Sequence, residues 1–259
     1  MFKLISKPNT NEEDFIKFKN REIKAKSIFY IKEINKPLAY MFVKEYHYLK
    51  DAKFFCIQAF GLFCKKNDEL VGVAAYSLPQ GTNTLNGWFG LDVDNKDIYE
   101  LARLCLLPTL NGTNATSFLL GGSIKELKKQ GVVRAVITLA TSDRHVGSIY
   151  QVCNFKYYGL TDIKCDFYLK STGEHLQRGP SHNVHGCFVQ RPQKHRYAYI
   201  LDPTLEVLYP EQERPKQNDI ITEKGCCHGT NIVYDNRFGE YYTCPKCTGK
   251  LKFIRKEGD

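Results

Sequence analysis

The chain has 259 residues, of which 42% are hydrophobic and 13% aromatic, enough for one substantial core and a small appendage. Lysine and arginine exceed aspartate and glutamate by nine, which favours a polyanionic partner such as a nucleic acid. No apolar run is long enough to span a bilayer, and no basic-then-apolar leader is present, so neither a membrane protein nor a secreted one is expected.

The chain divides by pattern into four parts. Residues 1–30 are polar and lysine-rich, and over 31–202 helices alternate with strands, which indicates an α/β (α+β) domain. Residues 203–219 contain three prolines and several charges, and this composition predicts a linker. Residues 220–259 hold four of the ten cysteines at metal-like spacing, and the scatter of the other six favours a reducing cytoplasm over a disulfide scaffold.

Hydrophobic periodicity and turn residues predict a series of elements in the 31–202 region. They are, in order, a helix over 37–48, strands over 54–64, 69–76 and 99–107, a helix over 115–130, a strand over 132–139 and a short helix that contains Tyr150, before further strands. Pro37 lies in the first turn of the first helix, where proline is tolerated, and Gly131 is a typical residue to end the second.

The segment 141–155 concentrates Asp, Arg, His and Ser side chains after an apolar strand. Open α/β sheets bind their ligands at this end of a strand. The helix that follows is predicted to place Ile149, Val152 and Cys153 on one face. This arrangement resembles the last strand-helix-strand unit of the acetyltransferase-like (GNAT) fold, in which a tyrosine on that helix often donates a proton. The resemblance implies this role for Tyr150, and a packing role is the alternative.

A second group of polar and aromatic residues, His47 and Tyr48 with their neighbours, lies at the end of the first predicted helix. Histidine is the natural general base near neutral pH, so His47 is a candidate base facing the cleft of an acyltransferase-like sheet. A capping or surface histidine is the alternative.

A third candidate site is the polar loop that joins the strand over 99–107 to the helix over 115–130, since a helix N-terminus binds anions. In acetyltransferases this loop holds the pyrophosphate of coenzyme A. By that resemblance the cofactor-binding residues are Leu104, Leu106, Asn111, Gly112, Asn114 and Ser117. The loop has one glycine where acetyltransferases have a richer pattern, so acetyl-coenzyme A, another acyl carrier and an aminoacyl-tRNA all remain possible donors.

The cysteine-rich end of the chain resembles a zinc ribbon. Its candidate ligands are Cys226, Cys227, His228, Cys244 and Cys247. A hairpin is predicted over 230–242, and two of the first three candidates would complete a tetrahedral site with the last two. A module this small cannot bury enough surface to fold alone, so structural zinc is predicted, with disulfides or free thiols as the alternative.

Taken in order, the motifs of residues 35–202 resemble the phage Mom family, GNAT-like enzymes that modify adenine in phage DNA. The matching segments are His47-Tyr48, Glu100 to Arg103, Asn114 to Leu119, Ser142 to Gly147, Ile149 to Gln151, Asn154-Phe155 and Lys194 to Leu201. The resemblance implies a mixed central sheet flanked by helices. It also implies transfer of an acyl-derived group to the N6 amine of adenine, in the cytoplasm of an infected bacterium, which protects the DNA from restriction.

Adenine is a poor nucleophile because the lone pair of its amine is delocalised into the ring, so proton transfer must assist the reaction. By the resemblance, His47 or Asp143 takes the amine proton and Tyr150 protonates the leaving group. Tyr48 would position the base. A target in duplex DNA must be extruded and needs aromatic stacking partners. The candidates for stacking are Tyr46, Tyr48 and Trp88, with a place in the core as the alternative for the single tryptophan.

The basic loop over 171–197 contains almost no acidic residue and could follow the DNA phosphates. The predicted DNA contacts are Arg178, Arg191, Lys194 and Arg196. A solvated basic loop is the alternative. Two other functions remain open: an acyltransferase of this fold acting on tRNA, protein or a small amine, and a nucleic-acid-binding protein without enzymatic activity.

Overall fold

The structure is a computed structural model, and it describes most of the chain up to residue 216 and one hairpin beyond it. The described residues are 12–47, 54–142, 145–162, 164–169, 172, 175–176, 186–190, 192–216, 231–235 and 239–243. Within these residues, no helix combines the length and the apolar character needed to cross a membrane.

Helices and strands alternate along the chain. The helices are α1 (Glu12–Lys19), α2 (Ala25–Ile28), α3 (Lys36–Tyr46), α4 (Thr82–Phe89), α5 (Ala115–Gln130) and α6 (Ser148–Val152). The strands are β1 (Phe29–Ile34), β2 (Gln58–Cys64), β3 (Leu70–Ser77), β4 (Ile98–Leu106), β5 (Ala135–Thr141), β6 (Lys156–Leu160), β7 (Cys165–Leu169), β8 (His175–Leu176), β9 (Gly186–Gln190), β10 (Lys194–Ile200), β11 (Asn231–Asp235) and β12 (Gly239–Thr243).

A seven-stranded sheet forms the centre of the described fold, in the order β1-β2-β3-β4-β5-β10-β6. Strands β1 to β4 are antiparallel neighbours, whereas β4 and β5 run parallel. Helices α3 and α5 pack on strands β2, β3 and β4. The mixed central sheet flanked by helices, which the resemblance implies, is therefore confirmed.

Strand β4 is irregular on both of its edges. Against β3, Arg103 faces Ala75 but Leu101 faces Tyr76, so Ala102 is an extra residue and forms a β-bulge. Against β5, the parallel ladder covers only Ile98–Glu100 of β4. From Leu101 onward, the β5-facing edge of β4 is therefore outside that ladder, and side chains bond to it instead: Thr138 Oγ1 donates to Leu101 O at 3.4 Å.

The chain separates into two compact units. The first comprises Met1–Thr138, Ser148–Tyr158 and Tyr197–Arg214, and the remaining segments form the second. The second unit contains a three-stranded sheet, β8-β7-β9, and the β11-β12 hairpin, which falls where the sequence predicts one.

The stretch interpreted as a linker belongs to the first unit as far as Arg214, and it packs there against other residues of that unit. Leu205 is buried, the Leu208 N–H donates to Trp88 O at 2.8 Å, and the Tyr209 ring meets the Trp88 ring edge-on at 5.2 Å. The charged and proline-rich composition indicated solvent exposure, but a few apolar side chains are sufficient to attach the segment to the core.

Candidate active site

His47 is the C-terminal cap of helix α3. The N-terminal cap is Asn35, whose side chain accepts a hydrogen bond from the Leu38 N–H at 2.9 Å. The imidazole is buried, with 8% of the residue exposed. Burial, reinforced by the positive charge of Arg103, lowers the pKa of His47 to about 4. At neutral pH the ring is therefore uncharged, so it can accept a proton but has none to spare as an acid.

Arg103 connects His47 to the bulge of β4. Its guanidinium donates a hydrogen bond to Ala102 O at 2.7 Å and lies 4.9 Å from the centre of the Phe54 ring. The bulge carbonyl thus has a charged donor, and the guanidinium is stacked over an aromatic face, which holds its plane in place.

A cavity of about 430 Å³ opens beside this bulge. Its lining combines two aromatic rings with charged, amide and hydroxyl groups: Phe54, Phe55, Ser77, Gln80, Glu100, Ala102 and Arg103. Apolar walls with a few converging polar groups are typical of small-ligand sites.

The predicted cofactor-binding residues follow one another from β4 into α5. Leu104 and Leu106 lie on the part of β4 beyond the parallel ladder, and Asn111, Gly112 and Asn114 are exposed in the connecting loop. Helix α5 starts without a hydrogen bond from the side chain of Asn114. The first N–H groups of a helix have no partner within the helix, and together with the helix dipole they attract anions.

Tyr150 lies on α6, next to the start of α5. Its ring centre is 5.7 Å from that of Phe155 and 5.4 Å from that of Tyr197. Cys153 directly follows α6, and its Sγ lies 3.7 Å from Ser117 O. Helix α6 therefore lies next to the first turn of α5. The structure thus brings Tyr150's helix to a predicted cofactor-binding residue. One detail was wrong: Val152, expected on the packed face, is 68% exposed.

A model of the Mom protein family matches residues 28–216. The chain belongs to the Mom protein family. The match covers α3, the bulged strand β4, helices α5 and α6, and β10. It ends before the C-terminal cysteines. No significant match was found among curated proteins.

Among solved structures, similar chains are acetyltransferases. The Escherichia coli ribosomal-protein-S18-alanine N-acetyltransferase is 15% identical, with a TM-score of 0.42 over 71% of this chain and 100% of that one. An Elizabethkingia anophelis GNAT family acetyltransferase with acetyl-CoA bound is 13% identical, with a TM-score of 0.41 over 66% and 97%. A Bacillus subtilis acetyltransferase in complex with CoA is 16% identical, with a TM-score of 0.38 over 67% and 97%.

Several expected site residues of this Mom family chain lie outside the described residues. They are Tyr48, Asp143, Arg178, Arg191, Cys226, Cys227, His228, Cys244 and Cys247. Among the residues that are described, no group of three His, Cys, Asp or Glu side chains could hold a metal ion.

The structure corrects one of the predicted DNA contacts. Arg196 is buried, and its guanidinium donates to the Leu160 carbonyl and lies 3.4 Å from an Asp162 carboxylate oxygen. It therefore stabilises the second unit instead of being available to a phosphate. Lys194 is half-buried, and its backbone bonds to Thr161: its N–H donates to Thr161 Oγ1 at 2.9 Å and its carbonyl accepts from the Thr161 N–H at 2.8 Å.

The stacking candidates also change. Trp88 is 2% exposed and packs in the core against Phe89, Tyr158 and Tyr209. Phe55 was predicted to lie in a strand, but β2 begins only at Gln58, and Phe55 is 61% exposed at the cavity.

Because the pKa of His47 falls from its usual 6.5 to about 4 on folding, acid should destabilise the protein through this residue. Between pH 6.5 and about 4, His47 is protonated in the unfolded chain but stays neutral in the native state. The free energy of unfolding should therefore drop by about 3 kcal/mol between pH 7 and 4 on account of His47. Urea unfolding at several pH values measures this drop, which should be absent from the His47→Gln variant. Equal pH dependence in the two proteins would contradict the assignment.

Proposed function

We propose that this protein transfers an acyl group from a coenzyme A thioester to the N6 amine of adenine in DNA. The fold is acyltransferase-like, and membership of the Mom family supports adenine in phage DNA as the acceptor. The observation that carries the proposal is strand β4, which leaves its parallel ladder, bulges at Ala102 and leads into the N-terminus of α5, beside a cavity for the acceptor.

The donor would be held by backbone groups and a helix end. Beyond Glu100, the β5-facing edge of β4 can hydrogen-bond an extended, amide-containing arm, in the way that a strand pairs with a peptide. The exposed loop with Asn111 and Gly112, followed by the start of α5, would take the pyrophosphate. An amide released at the bulge could polarise the thioester carbonyl.

Acyl transfer forms a bond between the amine nitrogen and the acyl carbon, breaks the carbon–sulfur bond and moves one proton from nitrogen to sulfur. His47 is neutral at physiological pH and can accept the proton, as can Asp143, whereas Tyr150 would supply the proton to the sulfur. Each such partner is worth roughly a hundred- to ten-thousand-fold in rate. Tyr48 would position the base.

DNA binding would use the positive net charge of the chain, which is +9 at pH 7. Arg178, Arg191 and Lys194 remain proposed phosphate contacts, since the segment 171–197, which was predicted as a loop but contains β8, β9 and the start of β10, has almost no acidic residue. Contacts of this kind hold the duplex in register but read no sequence.

Mass spectrometry of nucleosides from plasmid DNA tests the activity in bacteria that express the protein. We expect an adenosine-derived species of increased mass, and the increment identifies the group transferred. The Tyr150→Phe variant should yield at least about a hundredfold less, because it has lost its proton donor. The matched control is Tyr30→Phe. It removes a hydroxyl of β1 that donates a hydrogen bond to Asp68, and it should retain the product.

Unmodified DNA in cells that contain the folded protein would contradict the proposal. Acylated tRNA or protein in the same cells would then favour the alternative acyltransferases. If neither is found while the protein still binds nucleic acid, the non-enzymatic function is favoured.

Donor binding at α5 can be tested separately with Asn114→Asp. A carboxylate at the start of a helix stabilises the helix but repels a pyrophosphate there, so thermal stability should hold or rise while affinity for acetyl-coenzyme A falls about tenfold or more. Asn35→Asp makes the same change at the start of α3 and should leave the affinity unaltered. Equal affinities in all three proteins, measured by calorimetry, would place the donor elsewhere.

We also propose that the C-terminal module binds a structural zinc ion. Asn231 of β11 faces Thr243 of β12, so the chain enters and leaves the hairpin at the same end. Cys244 directly follows β12, and Cys226 to His228 lie only a few residues before β11. This connection suits a site that joins the two sides of a hairpin with thiolate and imidazole ligands.

Metal analysis of the purified protein should find about one zinc per chain. The double variant Cys244→Ser, Cys247→Ser should lose the metal, because serine is a poor zinc ligand. Cys153→Ser, at a half-buried free thiol, is the matched control and should keep it. Absence of zinc from the wild type, or its retention in the double variant, would show that the site is wrong.

A further inference from the structure

Phe55 is an exposed aromatic residue at the wall of the cavity beside the β4 bulge. Its relative exposure is 61%, whereas its neighbour Cys56 is 2% exposed. Single apolar residues on a protein surface need no explanation in general. This one borders a concave site with several polar groups, which is where an exposed ring can act on a ligand.

The backbone on both sides of Phe55 is fixed by one hydroxyl group. Tyr40 Oη donates a hydrogen bond to Phe54 O and accepts one from Cys56 N, both at 3.0 Å. The Tyr40 ring also contacts the Phe54 ring, with 4.8 Å between their centres. The position of Phe55 is therefore set by its neighbours, although its own ring is largely in solvent. Such preorganisation lowers the entropy lost when a ligand binds.

The polar groups of the cavity match a planar heterocycle that bears an amine. The Glu100 carboxylate, when ionised, can only accept hydrogen bonds, whereas the Gln80 amide can both donate and accept. Ser77, which is buried, adds a hydroxyl. The Phe rings provide surfaces for stacking, and Arg103 over Phe54 closes one wall with a cation–π contact.

We propose that this cavity receives the extruded adenine, with Phe55 stacked on the base and Glu100 accepting a hydrogen bond from its N6 amine. The inference rests on the proposed function and names the residues that bind its acceptor. A base that leaves the duplex loses its stacking neighbours, and an aromatic ring already in position replaces them. Because Glu100 and Ala102 line the same cavity, this arrangement brings the amine to the bulge where the acyl group is proposed to lie.

The first test compares modification rates on duplex DNA for the wild type, Phe55→Ala, Phe55→Trp and Leu91→Ala. We expect Phe55→Ala to be about ten- to a hundredfold slower, in line with the measured worth of base–aromatic stacking. Phe55→Trp keeps an aromatic surface and should stay within a few-fold of the wild type. Leu91→Ala removes an exposed side chain that is not part of the cavity lining and should have no effect.

Two further measurements distinguish a stacking role from a general defect. Thermal stability and affinity for acetyl-coenzyme A should be unchanged in Phe55→Ala, since the ring is mainly exposed. In the absence of donor, the wild type should bind a deoxyadenosine oligonucleotide several-fold more tightly than one with purine, which lacks the amine. Glu100→Ala should abolish that preference.

The outcomes separate the two proposals. If the wild type leaves DNA adenine unmodified, the proposed function fails and this inference fails with it. If the wild type modifies adenine but Phe55→Ala is equally fast, only the assignment of the cavity is overturned. Loss of donor affinity in Phe55→Ala would also overturn it, since the residue would then act on the donor.

Discussion

The incomplete pairing of strand β4 is the constraint on which the rest of the candidate site depends. A strand in the middle of a sheet normally has all of its backbone groups in ladders, and it then offers nothing to a ligand. Here the parallel ladder with β5 ends at Glu100, and the register with β3 slips at Ala102. Both departures fall within three residues, so the regular ladder pattern is interrupted at one point of the sheet, where side chains such as Arg103 bond to the backbone.

The electrostatics of the site follow from burial near this point. Arg103 is held between the Ala102 carbonyl and the Phe54 ring, and its charge disfavours a second cation nearby. His47 stays neutral mainly because its burial lowers the pKa of the imidazole, and the charge of Arg103 lowers it further. A neutral imidazole leaves the proton-donating role to another group, and we propose that role for Tyr150 of helix α6.

Hydrogen bonds from side chains to the backbone also fix parts of the first unit near the candidate site. The Tyr40 hydroxyl secures the backbone around Phe55, as Asn35 secures the start of the helix that ends at His47. In the first case a polar side chain fixes the backbone at the border of the cavity, and in the second it fixes the start of the helix that carries His47 at its end. Function then depends on side chains whose positions are set before a ligand arrives, which is how a site avoids ordering costs during binding.

The sequence by itself determined the local elements and the family. The helix over 115–130 was predicted to its end residue because Gly131 adopts a left-handed conformation there, with φ of 71°. Helix α4 was missed because its polar composition and the glycines at its ends, Gly81 and Gly90, resemble a loop. These signals arise from neighbours along the chain, so they are readable without a fold.

Only the tertiary structure decided which side chains meet. Phe55, Ser77 and Glu100 line one cavity although they come from three separate segments, and no periodicity relates them. Arg196 was predicted to contact DNA and Trp88 was a candidate stacking partner, but both are buried by partners that are distant in sequence, such as Leu160 and Tyr209. Exposure depends on strand order and register, which are long-range properties, and a residue's own chemistry does not reveal them.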